Sequence, residues 1–456
     1  MIPAMTEMNP IYARYADRKV PRYTSYPTAP HFHDRIGPAQ AEDWMAAMPQ
    51  GGSLSLYLHV PFCDSMCNYC GCHTKITKRY QPIAAYAEHL MMELENVAHR
   101  MPGRMKVRHL AWGGGTPTSL SPDDFVMLMD KIGELFEIVP DAELAIEGDP
   151  RTVNDKCVDM LVRGGINRVS FGVQDFNEHV QQAIGRPQSY ELTAEATQKL
   201  RDAGIKGINY DLMYGLPLQS VEDVIRSMEM TSRIRPERIA LFGYAHVPWF
   251  KPHQKLIREE DLPGQKARFT QTEAAAAELV RLGYVRIGLD HFALPDDEMA
   301  IALKAGRLRR NFQGYTTDVA DGMIPFGASS IGLLPQGYIQ NKVDIGGWKR
   351  RAAEGKLATA RGYAFSPEDL FRKEIIDCIM CYLEVDLEAV LNRHGFTPDI
   401  LASELAEIDA LARDGLVRRN GLKITIPDNN RSFVRIPAAV FDTYLKSAEK
   451  QHSVAV

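Results

Sequence analysis

Between residues 54 and 245, six short apolar runs at 54–59, 107–112, 144–147, 168–172, 207–211 and 238–245 are separated by stretches long enough for helices, among them 86–98, 123–136, 189–203 and 221–234. Strands joined through crossover helices lie parallel, because the chain re-enters the sheet at the end where each strand began. The expected fold is therefore α/β, a partial (β/α)6 barrel over residues 51–350. Such barrels build their sites from the loops that follow the strands. Those ends are where unusual residues collect here: a cysteine-rich loop after the first run, Gly113, Gly114, Gly115 and Thr116 after the second, and Glu147 to Pro150 after the third. Gln174 and Asp175 follow the fourth, Asp211 ends the fifth, and Ala245 and His246 end the sixth. One face of the barrel is expected to carry the chemistry.

The flanks differ in character. Residues 1–50 show little periodicity but hold Pro21-Arg22-Tyr23-Thr24-Ser25-Tyr26-Pro27-Thr28, which suits an arm lying in a groove. Residues 351–456 carry helical and short strand-like runs at 373–383, 400–413 and 423–426, a small, mostly helical α+β domain that serves as a lid, pocket wall or partner surface. A net charge of −5 and a pI near 6.2 give no global electrostatic reason to expect nucleic acid or an anionic membrane as partner. No run of about 18 apolar residues occurs, and the first residues lack the pattern of a secretory signal, so a cytoplasmic protein is expected. Seven cysteines fit that compartment: four are packed into one loop and Cys157, Cys378 and Cys381 are scattered, which is no disulfide framework. Cys378 and Cys381 read as core thiols of an amphipathic helix.

The loop at 63–72 runs Cys-Asp-Ser-Met-Cys-Asn-Tyr-Cys-Gly-Cys. Cys63, Cys67 and Cys70 can converge on one [4Fe–4S] cluster and leave its fourth iron open to a cofactor or substrate, which argues for chemistry at the cluster rather than electron transport alone. Two other arrangements use the same residues. Positions i, i+4 and i+7 share a helix face and would suit buried thiols, and zinc could take these three with Cys72. The glycines at 113–115 let backbone approach a ligand closely, with Pro117 stiffening the exit. Trp112 beside them could pack an apolar moiety or belong to the core. Glu147 should emerge at a strand end, able to hold a ribose hydroxyl or an ammonium group. Gln174, Arg186 and Asp211 add an amide, a guanidinium and a carboxylate to that rim, a mixture suited to a zwitterionic, nucleoside-bearing cofactor or a carboxylated substrate.

The cysteine loop, preceded by Tyr57-Leu58-His59-Val60-Pro61-Phe62 and followed by Gly-Gly-Gly-Thr-Pro, resembles radical S-adenosylmethionine (SAM) enzymes. The stretch from Arg22 to Thr28, Gly71-Cys72, Asp211-Leu-Met-Tyr-Gly-Leu-Pro, Asp290-His291-Phe292-Ala293 and 310–317 narrow the resemblance to the oxygen-independent coproporphyrinogen III oxidases, over roughly residues 20–445. The resemblance implies a cluster on Cys63, Cys67 and Cys70, SAM bound at its open iron, and a 5′-deoxyadenosyl radical that takes a β-hydrogen from a propionate. Two decarboxylations would then convert coproporphyrinogen III to protoporphyrinogen IX.

It further implies two SAM molecules. Tyr57, Gly114, Glu147 and Ile331 fall where the cluster-bound SAM is held, with Tyr57 and Glu147 next to the chemistry. Tyr69, Gly115, Thr116, Gln174, Arg186, Asp211 and Ala245 fall where the second is held; at Tyr69 a ring or backbone contact is implied. Cys72 matches a fourth family cysteine that is not expected to ligate iron. Arg22 and Arg309 or Arg310, beside Asn311 and Gln313, are candidates for the substrate carboxylates. An electron donor and a final acceptor of unspecified identity are implied, and the resemblance favours a monomer. The alternatives are a heme-binding, chaperone-like radical SAM protein, a heme-degrading methyltransferase with the same core, and a zinc-stabilised binding module.

Overall fold

The computed structural model describes residues 14–16 and 18–445; residues 1–13 and 17 of the expected arm and 446–456 of the expected C-terminal domain lie outside the described residues. The six apolar runs form parallel strands β1 (Ser53–Val60), β2 (Lys106–Gly114), β3 (Glu137–Gly148), β4 (Arg168–Gln174), β5 (Gly207–Tyr214) and β6 (Arg238–Gly243). Each run conceals an alternation. In β1, Leu54, Leu56 and Leu58 turn outward into the main apolar cluster, whereas Ser55, Tyr57 and His59 line a cavity inside the barrel. In β3 the outward set is Leu144 and Ile146 and the inward set Glu143, Ala145 and Glu147; in β5 they are Ile208, Tyr210 and Leu212 against Asn209 and Asp211. The period of two thus puts polar groups on the concave face even in strands that read as apolar.

Helices Gln81–Ala98, Pro122–Leu135, Asp155–Arg163, Tyr190–Asp202 and Val221–Ile234 cover the outer face. Several have a capping residue that sets where they start. Ser121, Asn154 and Ser189 accept backbone N–H bonds at three N-termini, and Ser220 with Asp223 forms a reciprocal capping box at a fourth.

The sheet extends beyond the six strands. After β7 (Val285–Ile287) and β8 (His291–Ala293), the chain returns as β9 (Gly322–Phe326), parallel to β1, and continues through β10 (Ile331–Leu334), β11 (Gly337–Asn341) and β12 (Thr359–Ala364). The order is β12-β11-β10-β9-β1-β2-β3-β4-β5-β6-β8-β7, with antiparallel pairing at both flanks. Sequence reasoning missed β9 to β12 because they are short and glycine-spaced, β9 to β11 follow one another through tight connections, and the one helix among them, Ile345–Ala353, joins antiparallel strands.

A second apolar cluster joins the arm to the C-terminal helices: Tyr15, Val20, Tyr23 and Tyr26 pack with Phe371, Ile375, Phe433 and Phe441. The arm is therefore a buried part of that core. Arg310 holds it in place, donating to the carbonyls of Tyr23 and Arg22 at 3.1 Å each and lying over the Tyr315 ring. This corrects the expectation that Arg310 meets substrate. Trp112 is likewise core, buried against Phe125. Cys381 is buried and Cys378 half-buried on helix Pro367–Tyr382, as their pattern suggests. No helix among the described residues is long and apolar enough to cross a membrane.

Candidate active site

Two adjoining cavities occupy the mouth and interior of the barrel. The outer, of about 790 Å³, is lined by the cysteine loop, the glycine turn and the ends of β3 to β6; the inner, of about 450 Å³, lies between β1 and β6 with β10 behind. Glu147, Ser170, Asp211 and Phe242 line both.

Residues 64–74 form neither helix nor strand, which removes the helix-face arrangement of the cysteines. Residues Phe62–Cys63 pair with Lys75–Ile76, closing the loop at its base. Asn68 N donates to Ile184 O at 2.9 Å. On the other side, His253 Nε2 meets Cys70 O at 2.7 Å, Lys251 Nζ donates to Cys72 O at 2.8 Å and Gln254 Nε2 donates to Tyr69 O at 2.8 Å. The loop after β6 therefore shapes the cysteine loop.

Cys63, Cys67, Cys70 and Cys72 are free thiols on the outer cavity. Thr116 Oγ1 points at Cys63 Sγ from 3.5 Å and Arg186 Nη1 at Cys67 Sγ from 3.4 Å. The Cys70 thiol is drawn down to about 6, first by a hydrogen bond from the Cys72 thiol and then by the Cys72 amide, His253 and Lys251. Burial pushes the Cys63 thiol up to about 11. Donors directed at sulfur, a cationic neighbour and space for a polynuclear group are what a cluster held by three thiolates requires. The residues fit an iron–sulfur cluster. Among the described residues no three Cys, His, Asp or Glu side chains are grouped to hold a single metal ion.

The glycine turn packs directly on this loop. Gly115 N donates to Val60 O at 2.9 Å and Thr116 N to Phe62 O at 2.7 Å. A Cβ on Gly115 would fall 2.5 Å from Phe62 O, and Gly114, at φ +115°, would meet the His59 ring at 2.6 Å. Gly114 N donates to Glu147 Oε2 at 3.0 Å. Burial raises the Glu147 carboxyl, and burial with the neighbouring Glu147 pushes Asp211 up to about 7. Two carboxyls share one space with one donor each, Gly114 N–H to Glu147 and Ser170 Oγ at 3.4 Å from Asp211. Such groups await hydroxyl or ammonium donors from a ligand.

Tyr69, Gly114, Gly115, Thr116, Gln174, Arg186 and Ala245 line the outer cavity, and Tyr57 and Ile331 the inner. Gln174 sits at φ +69°, a strand-end kink. Arg186 donates to Gly172 O at 2.7 Å and pairs with Asp149 at 3.3 Å, and Asp149 also holds Arg151. Arg22 lines the outer cavity and donates to Gly243 O at 2.9 Å.

Other expected rim residues are elsewhere. Asp175 is buried among Asn177, Gln181 and Gln219, Arg309 is exposed, and His246 faces Tyr244 and Glu259 outside both cavities. His59 was overlooked: it lines the inner cavity 3.2 Å from Tyr57 Oη, with burial lowering its pKa to about 4. Its two-residue offset from Tyr57 was the available signal. The 247–256 loop carried no recognisable motif.

The pattern of the radical SAM superfamily matches residues 57–231. The chain is 47% identical over 442 residues to the oxygen-independent coproporphyrinogen III oxidase of Bradyrhizobium diazoefficiens, covering 97% of this chain and 98% of that one. It is 37% identical to the protein of the same description from Pseudomonas aeruginosa, with 96% of each covered. Among solved structures it is similar to the coproporphyrinogen III oxidase of Escherichia coli, described as a radical SAM enzyme, with a TM-score of 0.89, 35% identity, and 93% of this chain and 97% of that one covered.

Proposed function

The chain belongs to the oxygen-independent coproporphyrinogen III oxidase family of radical SAM proteins, and from that premise we propose that it oxidatively decarboxylates two propionates of coproporphyrinogen III to vinyl groups, giving protoporphyrinogen IX in heme biosynthesis. The observation that carries this is the meeting of Cys63, Cys67 and Cys70 with Gly114, Glu147 and Asp211 around one cavity at the barrel mouth. Bound there, a [4Fe–4S] cluster and SAM would supply the one-electron radical chemistry that such an oxidative decarboxylation needs.

The remaining work falls to side chains. Cys63, Cys67 and Cys70 hold the cluster, with Thr116 and Arg186 directing donors at the sulfurs. Tyr57, Gly114, Glu147 and Ile331 hold the SAM on the cluster, Glu147 accepting from an ammonium or ribose hydroxyl. A second SAM lies against Tyr69, Gly115, Thr116, Gln174, Arg186, Asp211 and Ala245. The split of the space into two cavities that share Glu147 and Asp211 supports two ligands. Arg22 is the cavity arginine available to a propionate, and beside it Arg268 lies against Gly243 with no carboxylate partner among the described residues. The enzyme acts as a cytoplasmic monomer that takes electrons from a donor protein and passes substrate electrons to an acceptor.

An anaerobic assay of reconstituted protein with SAM, dithionite, coproporphyrinogen III and a cell-extract acceptor tests this. Protoporphyrin, read after oxidation of the product, should appear together with 5′-deoxyadenosine. Tight heme binding with an intact cluster and no product would assign the chain to the chaperone-like branch instead.

A further inference from the structure

Among the described residues, the three most exposed large apolar side chains are Phe250 (72%), Trp249 (69%) and Leu256 (69%), and all three lie on the loop after β6. This is the loop whose Lys251, His253 and Gln254 grip the main chain of the cysteine loop. The exposed aromatics are thus one side chain removed from the backbone of Cys70 and Cys72. The cysteine segment held by those bonds itself exposes Met66 and Ile76.

The two segments carry a basic excess. Lys75, Lys78, Arg79 and Lys255 are exposed and Lys251 is half-buried, and none of the five makes an ion pair among the described residues. Of the acids on these segments, Glu260 and Asp261 share the one Arg258, Glu259 faces His246 and Asp64 makes no ion pair among the described residues, so Lys75, Lys78, Arg79, Lys251, Lys255 and Arg258 outnumber the four carboxylates. A basic patch on a chain of net charge −5 is a local design rather than a general property. Aromatic anchors within a charged rim are the anatomy of a transient protein interface.

We propose that this face docks an acidic one-electron carrier protein that reduces the cluster. The proposal rests on the radical SAM reading of the site, which requires one electron from outside for each SAM cleaved. That electron leaves the reduced carrier, which is oxidised by one unit, and would reduce by one unit the cluster held by Cys63, Cys67 and Cys70; no bond or proton moves in the docking step. The basic rim steers an acidic partner to the surface, and Trp249 and Phe250 supply the apolar contact that holds it.

Binding of an acidic [2Fe–2S] ferredoxin to the reconstituted enzyme, measured by surface plasmon resonance at about 50 mM and 300 mM salt, tests this. The wild type should bind, more weakly at high salt. Trp249→Ser with Phe250→Ser, and separately Lys75→Glu with Lys255→Glu, should each weaken binding at least about tenfold, the second pair also flattening the salt dependence. In both, dithionite-driven SAM cleavage and the cluster absorbance should stay within about twofold of wild type, because neither pair touches the cavity. Absence of wild-type binding, unchanged binding in both variants, binding to phosphatidylglycerol vesicles alone, or a parallel loss of dithionite-driven cleavage would each overturn the docking face. If the wild type cleaves SAM with dithionite yet forms no protoporphyrin, the proposed substrate falls while the docking result still stands.

Discussion

At the residue scale, the site depends on atoms that are missing as much as on those present. Gly115 lets two loops touch, and a methyl there would meet main chain, which cannot swing away as a side chain can. Gly115→Ala should therefore cost about 2 kcal/mol or more and lower the iron bound on reconstitution, read by iron content and thermal melting; wild-type values for both would show that the contact can relax. Asp211 makes the converse case. Its carboxyl stands near 7 when folded against an ordinary value near 3.8, so its contribution to folding is best below the ordinary value and worsens as pH rises toward 7. Asp211→Asn should raise the melting temperature of cofactor-free protein at pH 8 by about 2–4 °C and leave it nearly unchanged at pH 4, while weakening SAM binding. An equal shift at both pH values would remove the titration from the explanation. The place of the cysteines on the outer cavity was legible because they follow directly on a strand end. Asp175 was misplaced because the residue after a strand end turns either into the barrel or under the next helix, and only packing chooses.

At the element scale, the arm shows how far a local reading reaches. Its aromatics and prolines indicated a segment that lies against something, but its partners are far along the chain: Gly243 for the Arg22 side chain, Arg310 for its carbonyls, Asp442 for the Tyr23 hydroxyl, and the helix Pro367–Tyr382 for its rings. Replacing Arg310 by Ala removes both bonds to the arm's main chain and the cation over Tyr315. Limited proteolysis should then cut within residues 18–28 of the variant, while the far-ultraviolet circular dichroism stays that of the wild type; equal protection of the arm would show that its rings suffice. Because Arg22 sits in this segment and reaches the cavity, the variant should also raise the KM for coproporphyrinogen III more than it lowers kcat.

At the scale of the whole molecule, the barrel interior is closed by a buried ionic square. Arg168 meets Glu143 at 2.9 Å and Asp297 at 3.3 Å; Arg238 meets Asp297 at 2.7 Å and Glu143 at 3.1 Å. Burial would raise Glu143, but Arg238, Arg168 and His109 together hold it at about 2. A carboxyl depressed in the fold stabilises it above its ordinary pKa and loses that contribution as pH falls through about 4 toward 2. Arg238→Ala should destabilise the protein by about 3–5 kcal/mol near neutrality and flatten the acid limb of the stability profile, measured by denaturant unfolding between pH 2 and 7. A variant with an unchanged acid limb would place the stabilising charges elsewhere.

The sequence by itself determined the βα rhythm, the strand ends and the cysteine-rich loop at the barrel mouth, because each is written in local spacing: a period of two, a helix-length gap, a C-x3-C-x2-C loop. Tertiary structure decided what spacing cannot carry. It selected β9, far along the chain, as the neighbour of β1, turned Arg310 away from the site, packed Trp112 on Phe125 at the wall of the inner cavity, brought His59 beneath the glycine turn, and set the 247–256 loop across the cysteines. Each of these is a contact between segments separated in sequence, chosen by the burial and hydrogen bonding of the whole fold.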